Sequence, residues 1–218
     1  MILFPFPVRQ LAFAGTSLLL PLASASAFTT SIGTPHFVDG QAVGSGTFLG
    51  AVSGQPAPFD GFNGSGDVAG PDFTASWTFT YAPQPLGIGA ASLTMGVWDG
   101  DSAASGLQVA SLLFDGIDLT VSANAAFESA LGITGQYRIY SIPIPPVFLT
   151  NLLDGSASVS LTLQGPGLGV LGELPNNGAG LDFASLEIIP VPEPSGILLT
   201  GAAGGMMLFT RRRTTPKA

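Results

Sequence analysis

Two-residue periodicity constrains this chain more than any other feature. In residues 73–82 (FTASWTFTYA), Trp77, Phe79 and Tyr81 fall on one side of an extended backbone and Thr78 and Thr80 on the other. Residues 158–164 (SVSLTLQ) repeat the pattern, with Val159, Leu161 and Leu163 inward. Alternation of this kind, in β-branched and aromatic residues, marks strands with one buried face. Further strands are expected at residues 46–52, 91–98, 107–114, 117–122, 136–142 and 182–189, giving about eight, with glycine- and aspartate-bearing turns between them. Only residues 124–131 and 146–153 look helical, each about two turns long at most. Strands and helices do not alternate, so a parallel α/β sheet is disfavoured. The expected fold is all-β: a single antiparallel β-sandwich, jelly-roll-like, with an immunoglobulin-like sandwich as runner-up. Residues 29–72 carry ten glycines and weak periodicity, and read as a loop-rich lead-in.

The two ends are built from different material. Residues 1–27 have one leading positive charge, Arg9, then an apolar run at residues 11–22 and the small-x-small sequence Ala25-Ser26-Ala27. That order predicts a signal peptide removed by signal peptidase after Ala27. About 12 apolar residues suit a signal and are too few to span ~30 Å of hydrocarbon. Residues 28–189 remain as the folded domain, large enough to bury one core. The chain has no cysteine, so disulfides and thiolate metal sites are excluded.

Charge narrows the partners of this domain. Residues 28–189 hold thirteen acids and one base, Arg138, a balance of −12. A polyanion would be repelled, which excludes nucleic acid. Most of the acids are aspartates at glycine-rich turns or strand edges, where they favour turns and can also ligate calcium.

After Ile189 the composition changes abruptly. Residues 190–195 (PVPEPS) form a proline-rich linker that cannot continue a strand or helix. Residues 196–210 (GILLTGAAGGMMLFT) are uncharged and apolar, and Arg211, Arg212 and Arg213 follow directly. An apolar segment closed by an arginine cluster predicts a transmembrane helix with its C-terminus in the cytoplasm. The signal peptide independently places the domain on the other side. Fifteen residues rise only about 22 Å as a helix, short of the ~30 Å core, as suits an anchor that holds a chain briefly.

The order Val191-Pro192-Glu193-Pro194-Ser195, short apolar helix, Arg211-Arg212-Arg213 resembles the PEP-CTERM sorting tail. The resemblance covers residues 191–218, so the chain divides into a signal peptide (1–27), a β-sandwich (28–189) and a sorting tail (190–218). It implies that the protein is a substrate of exosortase, a membrane-embedded cysteine protease-transpeptidase of bacteria that make exopolysaccharide. Pro192, Glu193 and Pro194 would be the recognition element, and the catalytic groups would belong to the exosortase. Residues 73–189 also look like the uncharacterised β-sandwich cargo carried by such tails, which implies a fold and no activity. The implied route is export, a stay at the inner membrane with the domain on the periplasmic side, then the cell surface or extracellular matrix.

Catalytic constellations are hard to find. His36 is the single histidine, beside Pro35 in the lead-in, and reads as a solvated loop residue. Residues 167–172 match G-x-G-x-x-G, but prolines and asparagines follow where a helix must start, so no dinucleotide site is expected. Asp99 with Asp101, and Asp115 with Asp118, form carboxylate pairs in turns, which keeps a polysaccharide hydrolase or lyase as one alternative. Calcium is a candidate cofactor, with Asp99, Asp101 and Asp182 as ligands. Trp98, at a strand end beside the aspartate turn, is a candidate platform for sugar stacking, so a carbohydrate-binding module for exopolysaccharide is the other alternative. The expectation that leads is a non-catalytic protein of the envelope or matrix.

Overall fold

The computed structural model describes residues 26–64, 73–98, 107–129, 135–163 and 178–192. Its elements run β1 (Phe28–Gly33), α1 (Ser45–Val52), β2 (Phe62–Asn63), β3 (Thr74–Thr80), β4 (Ile88–Trp98), β5 (Val109–Phe114), β6 (Ile117–Asp118), α2 (Thr120–Ser129), β7 (Tyr137–Pro143), a 3-10 segment (Pro146–Asp154), β8 (Ser156–Leu163) and β9 (Ala179–Pro190). All strand pairings are antiparallel and make two sheets. One has the order β1-β9-β4-β7, with β2 also pairing β9, and the other has the order β3-β8-β5-β6. The chain is therefore mostly β and forms two stacked antiparallel sheets. Successive long strands cross from one sheet to the other, as β3 to β4, β4 to β5, β7 to β8 and β8 to β9 do.

Period two explains the core. In β3, Ala75, Trp77 and Phe79 are buried while Thr74, Ser76, Thr78 and Thr80 are exposed. In β8, Ala157, Val159, Leu161 and Leu163 turn the same way. These faces meet Leu93, Met95, Leu186 and Ile188 of the first sheet in one continuous apolar core. The middle strands β4 and β9 are buried over much of both faces.

Three expectations are corrected. Residues 46–52 are helical, not a strand: Phe48 and Val52 are the buried residues, four apart, while Leu49 and Gly50 face outward. Phe48 and Val52, four apart, fit either period in sequence, and only the partner surface selects between them. Residues 117–122 are strand for two residues and then become α2, with Asp118 Oδ1 accepting the Thr120 amide at 2.9 Å in a turn that leads into the helix. The lead-in is more ordered than its glycines suggest. Between β1 and β2 it lays α1 over the outer face of the first sheet, where Val43, Phe48, Val52, Trp98, Tyr137 and Phe183 make a second apolar cluster.

Glycines make that second cluster possible. At Gly180 a Cβ would collide with the Phe48 ring, and at Gly96 with the Tyr137 hydroxyl and the Phe183 ring. The β4–β9 ladder also shifts register between Gly96 and Val97, a bulge that re-aims the strand end carrying Trp98. Among the described residues no helix is long and apolar enough to cross a membrane. The predicted signal peptide through Ala25 and the predicted transmembrane helix lie outside the described residues.

Candidate functional site

The most concentrated polar chemistry among the described residues sits under the lead-in, on β9. Asp182 is fully buried, and each of its oxygens is engaged. Oδ2 accepts the His36 backbone amide at 2.8 Å and the Tyr137 hydroxyl at 2.9 Å. Oδ1 lies 2.7 Å from His36 Nδ1. A carboxylate donates nothing, so Nδ1 carries the hydrogen of this bond. The expectation of a solvated His36 is thus corrected: its side chain is 30% exposed and tied to a buried acid 146 positions away in sequence. Three donors stabilise a carboxylate that burial alone would penalise.

Tyr137 answers to the same environment. Burial is the main force raising its phenol well above the usual range, and the Asp182 charge and hydrogen bond push it further. The ring packs 5.4 Å from Phe37, and Phe37 lies 5.9 Å from Phe48, so the polar knot is roofed by aromatics. Chemically the arrangement is half of a nucleophilic triad: an acid orienting a histidine. Among the described residues no hydroxyl bonds to the His36 ring, and the knot acts as a staple joining lead-in, β7 and β9. Sequence reading missed it because its members are far apart. The available signal was a lone aspartate inside the apolar run Gly180-Leu181-Asp182-Phe183.

The sequence-predicted sites fare differently. Trp98 is not a sugar platform: it is 5% exposed, stacks on Phe48 at 4.9 Å and 15°, and donates Nε1–H to the Val43 carbonyl at 2.8 Å. The bulge and the covering helix turn this strand end inward, which corrects the expected surface role. Asp182 is a hydrogen-bond hub, so its oxygens are not presented to an ion. Asp99 and Asp101 lie outside the described residues, and among those described no group of three metal-ligating side chains converges. Ala27 is exposed and immediately precedes β1, whereas Ala25 lies outside the described residues. Pro192 is exposed two residues beyond β9; Glu193, Pro194, Arg211, Arg212 and Arg213 lie outside.

A second candidate surface is the outer face of the β3–β8 sheet. Four consecutive cross-strand pairs there are all hydroxylic: Thr74 with Thr162, Ser76 with Ser160, Thr78 with Ser158 and Thr80 with Ser156. Ser76 Oγ lies 3.2 Å from Ser160 Oγ, and Ser158 Oγ lies 3.4 Å from Asp115 Oδ1. A shallow groove of about 340 Å³ crosses this face, lined by Ser76, Thr78, Leu113, Ser158 and Ser160 among others. Among the described residues that line it none is charged, and the Asp115 carboxylate stands at its edge against Ser158. Hydroxyls both donate and accept, so the groove is suited to uncharged polyhydroxylated molecules.

No family model and no curated protein matches this chain. Among solved structures, dimeric latent PorU from Porphyromonas gingivalis is similar over 77% of this chain at 12% identity and a TM-score of 0.37, and this chain spans 13% of that one. A family 35 carbohydrate binding module from an environmental isolate is similar over 80% of this chain and 95% of its own, at 14% identity and a TM-score of 0.33. The ANXUR2 extracellular domain from Arabidopsis thaliana is similar over 76% of this chain and 41% of its own, at 12% identity and a TM-score of 0.31. Likeness at this level bears on neither ligand nor activity.

Proposed function

We propose that this chain is an exported, non-catalytic envelope or matrix protein, a jelly-roll-type β-sandwich delivered by its signal peptide and processed at its C-terminal tail by an exosortase. One observation carries the reading. The last strand runs to Pro190, and Pro192-Glu193-Pro194, a short apolar segment and Arg211-Arg212-Arg213 follow without an intervening domain. The alternation of strands between sheets supports the jelly-roll form. Intact-mass measurement of protein recovered from the cell surface tests the proposal. The expected mass lacks both the first 27 residues and the arginine cluster; surface protein that retains Arg211 to Arg213 defeats the sorting role.

The hydroxyl-lined groove favours a second reading, binding of a neutral exopolysaccharide along β3 and β8. Ser158→Lys, which places charge and bulk in the groove, is expected to abolish co-sedimentation with the host polysaccharide while leaving the fold intact. Unchanged co-sedimentation, or no binding by the parent protein, rules this reading out. Calcium is not assigned to Asp182, because its oxygens already serve three donors.

A further inference from the structure

The outer face of the first sheet is covered unevenly. At one end α1 and the aromatic cluster lie over it; at the other, no described element covers β4, β7 and β9, and a shallow, largely apolar cleft of about 250 Å³ is lined by Ala90, Ala91, Ser92, Pro143, Glu187 and Ile189. The last described residues of the sandwich, Val191 and Pro192, stand at this end. Pro190 pairs with Ile88, and the Val191 amide still donates to the Gly87 carbonyl at 3.0 Å, so the backbone is held to the sheet until one residue before Pro192. Three large apolar side chains surround the exit: Leu86 is 53% exposed, Ile189 40% and Val191 42%. Ile189 is on the outer face of β9, and the Val191 side chain, one residue past the strand, lies beside Gly87.

Apolar groups gathered at a chain exit need an occupant, and the chain itself indicates one. Only five positions separate Val191 from Gly196, the first residue of the apolar tail, a reach of at most about 18 Å. The tail is short for a bilayer, so nearby apolar groups that enter the interface compensate its deficit. We infer that the Leu86–Ile189–Val191 end of the sandwich seats on the lipid interface while the tail is in the membrane, holding the Pro192-Glu193-Pro194 segment at the membrane surface where a membrane-embedded processing enzyme works. This rests on the sorting-tail reading. The seat is hydrophobic and not electrostatic: the face contains Glu187 and the domain is acidic, so neutral lipid is the matching partner.

The chain has no cysteine, which allows a clean test on the full-length protein. Leu86→Cys and, as a control on the opposite sheet, Ser76→Cys are each labelled with an environment-sensitive fluorophore. Each is reconstituted into phosphatidylcholine vesicles with and without spin-labelled quencher lipid. The expected result is a blue-shifted Leu86 probe, quenched by the lipid several-fold more than the Ser76 probe. If the chain does not float with the vesicles, the tail reading fails and takes this proposal with it. If it floats but the Leu86 probe stays as water-exposed as Ser76, the seat alone is overturned. A blue shift without lipid quenching marks a protein contact at this face and also overturns the membrane seat.

Discussion

Replacing Asp182 by alanine strips the acceptor from three hydrogen bonds at once. The Tyr137 hydroxyl suffers most, since its ring is fully buried and water cannot take the place of the lost oxygen. Orphaning such a donor costs about 1–3 kcal/mol. The His36 amide and ring are part-exposed and recover some solvation, so their two bonds add about 1 kcal/mol each. Removing the carboxylate also relieves the cost of burying its charge, which offsets part of the loss. The expected net destabilisation is about 3 kcal/mol, a large share of the ~5–15 kcal/mol typical of a domain. Urea unfolding of the exported protein measures it, and a double-mutant cycle with Tyr137→Phe should return a coupling of at least about 1 kcal/mol. Amide exchange should rise first in the lead-in around residues 36–43, which the staple holds. A loss below about 1 kcal/mol, or a coupling of zero, would refute the view that Asp182 fastens the lead-in to the sheet.

Three other perturbations probe the same architecture. Gly180→Ala drives a Cβ into the Phe48 ring and should cost about 1–3 kcal/mol in thermal or urea unfolding, whereas Gly50→Ala, which meets open space inside α1, should stabilise by up to about 1 kcal/mol. Trp98→Ala should destabilise by about 3–5 kcal/mol through the core. Polysaccharide co-sedimentation by the fraction that remains folded should be unchanged, and a selective loss of binding with full stability would restore a surface role for this ring. At high pH two phenols matter: the half-buried Tyr81 is pushed up to about 12, mainly by burial and then by Asp154 and Asp115, and the fully buried Tyr137 is raised further. The unfolded chain releases these protons near the ordinary phenol value of 10, so the stability they add is whole below pH 10 and drains as pH rises through the folded values. Tyr137→Phe should therefore show a shallower alkaline decline in melting temperature than the parent, and parallel declines would contradict the assigned role.

Particular elements show why some features were legible in sequence and others were not. Strands β3 and β8 could be read residue by residue, because a sheet with one wet face imposes alternation on each strand separately. Residues 46–52 could not, because Phe48 and Val52 are consistent with either a strand or a helix until Gly180 and Trp98 provide a surface for one face. The same surface buried Trp98, whose neighbours in sequence suggested exposure. Asp182 stood out as an acid in an apolar run, but its partners are donors at positions 36 and 137, and no local pattern links them.

By itself, the sequence determined the mostly β character of the domain and its acidic, cysteine-free composition, and it set the expectation of two addressing ends. These are properties of composition and of short-range period, which act on each segment independently. Tertiary structure alone decided how the strands divide between sheets, which aromatics lie inside, and where the lone histidine goes. Those outcomes depend on contacts between residues as far apart as Phe28 and Ile188, paired across β1 and β9, whose energies appear only once the sheets have brought them within hydrogen-bonding distance.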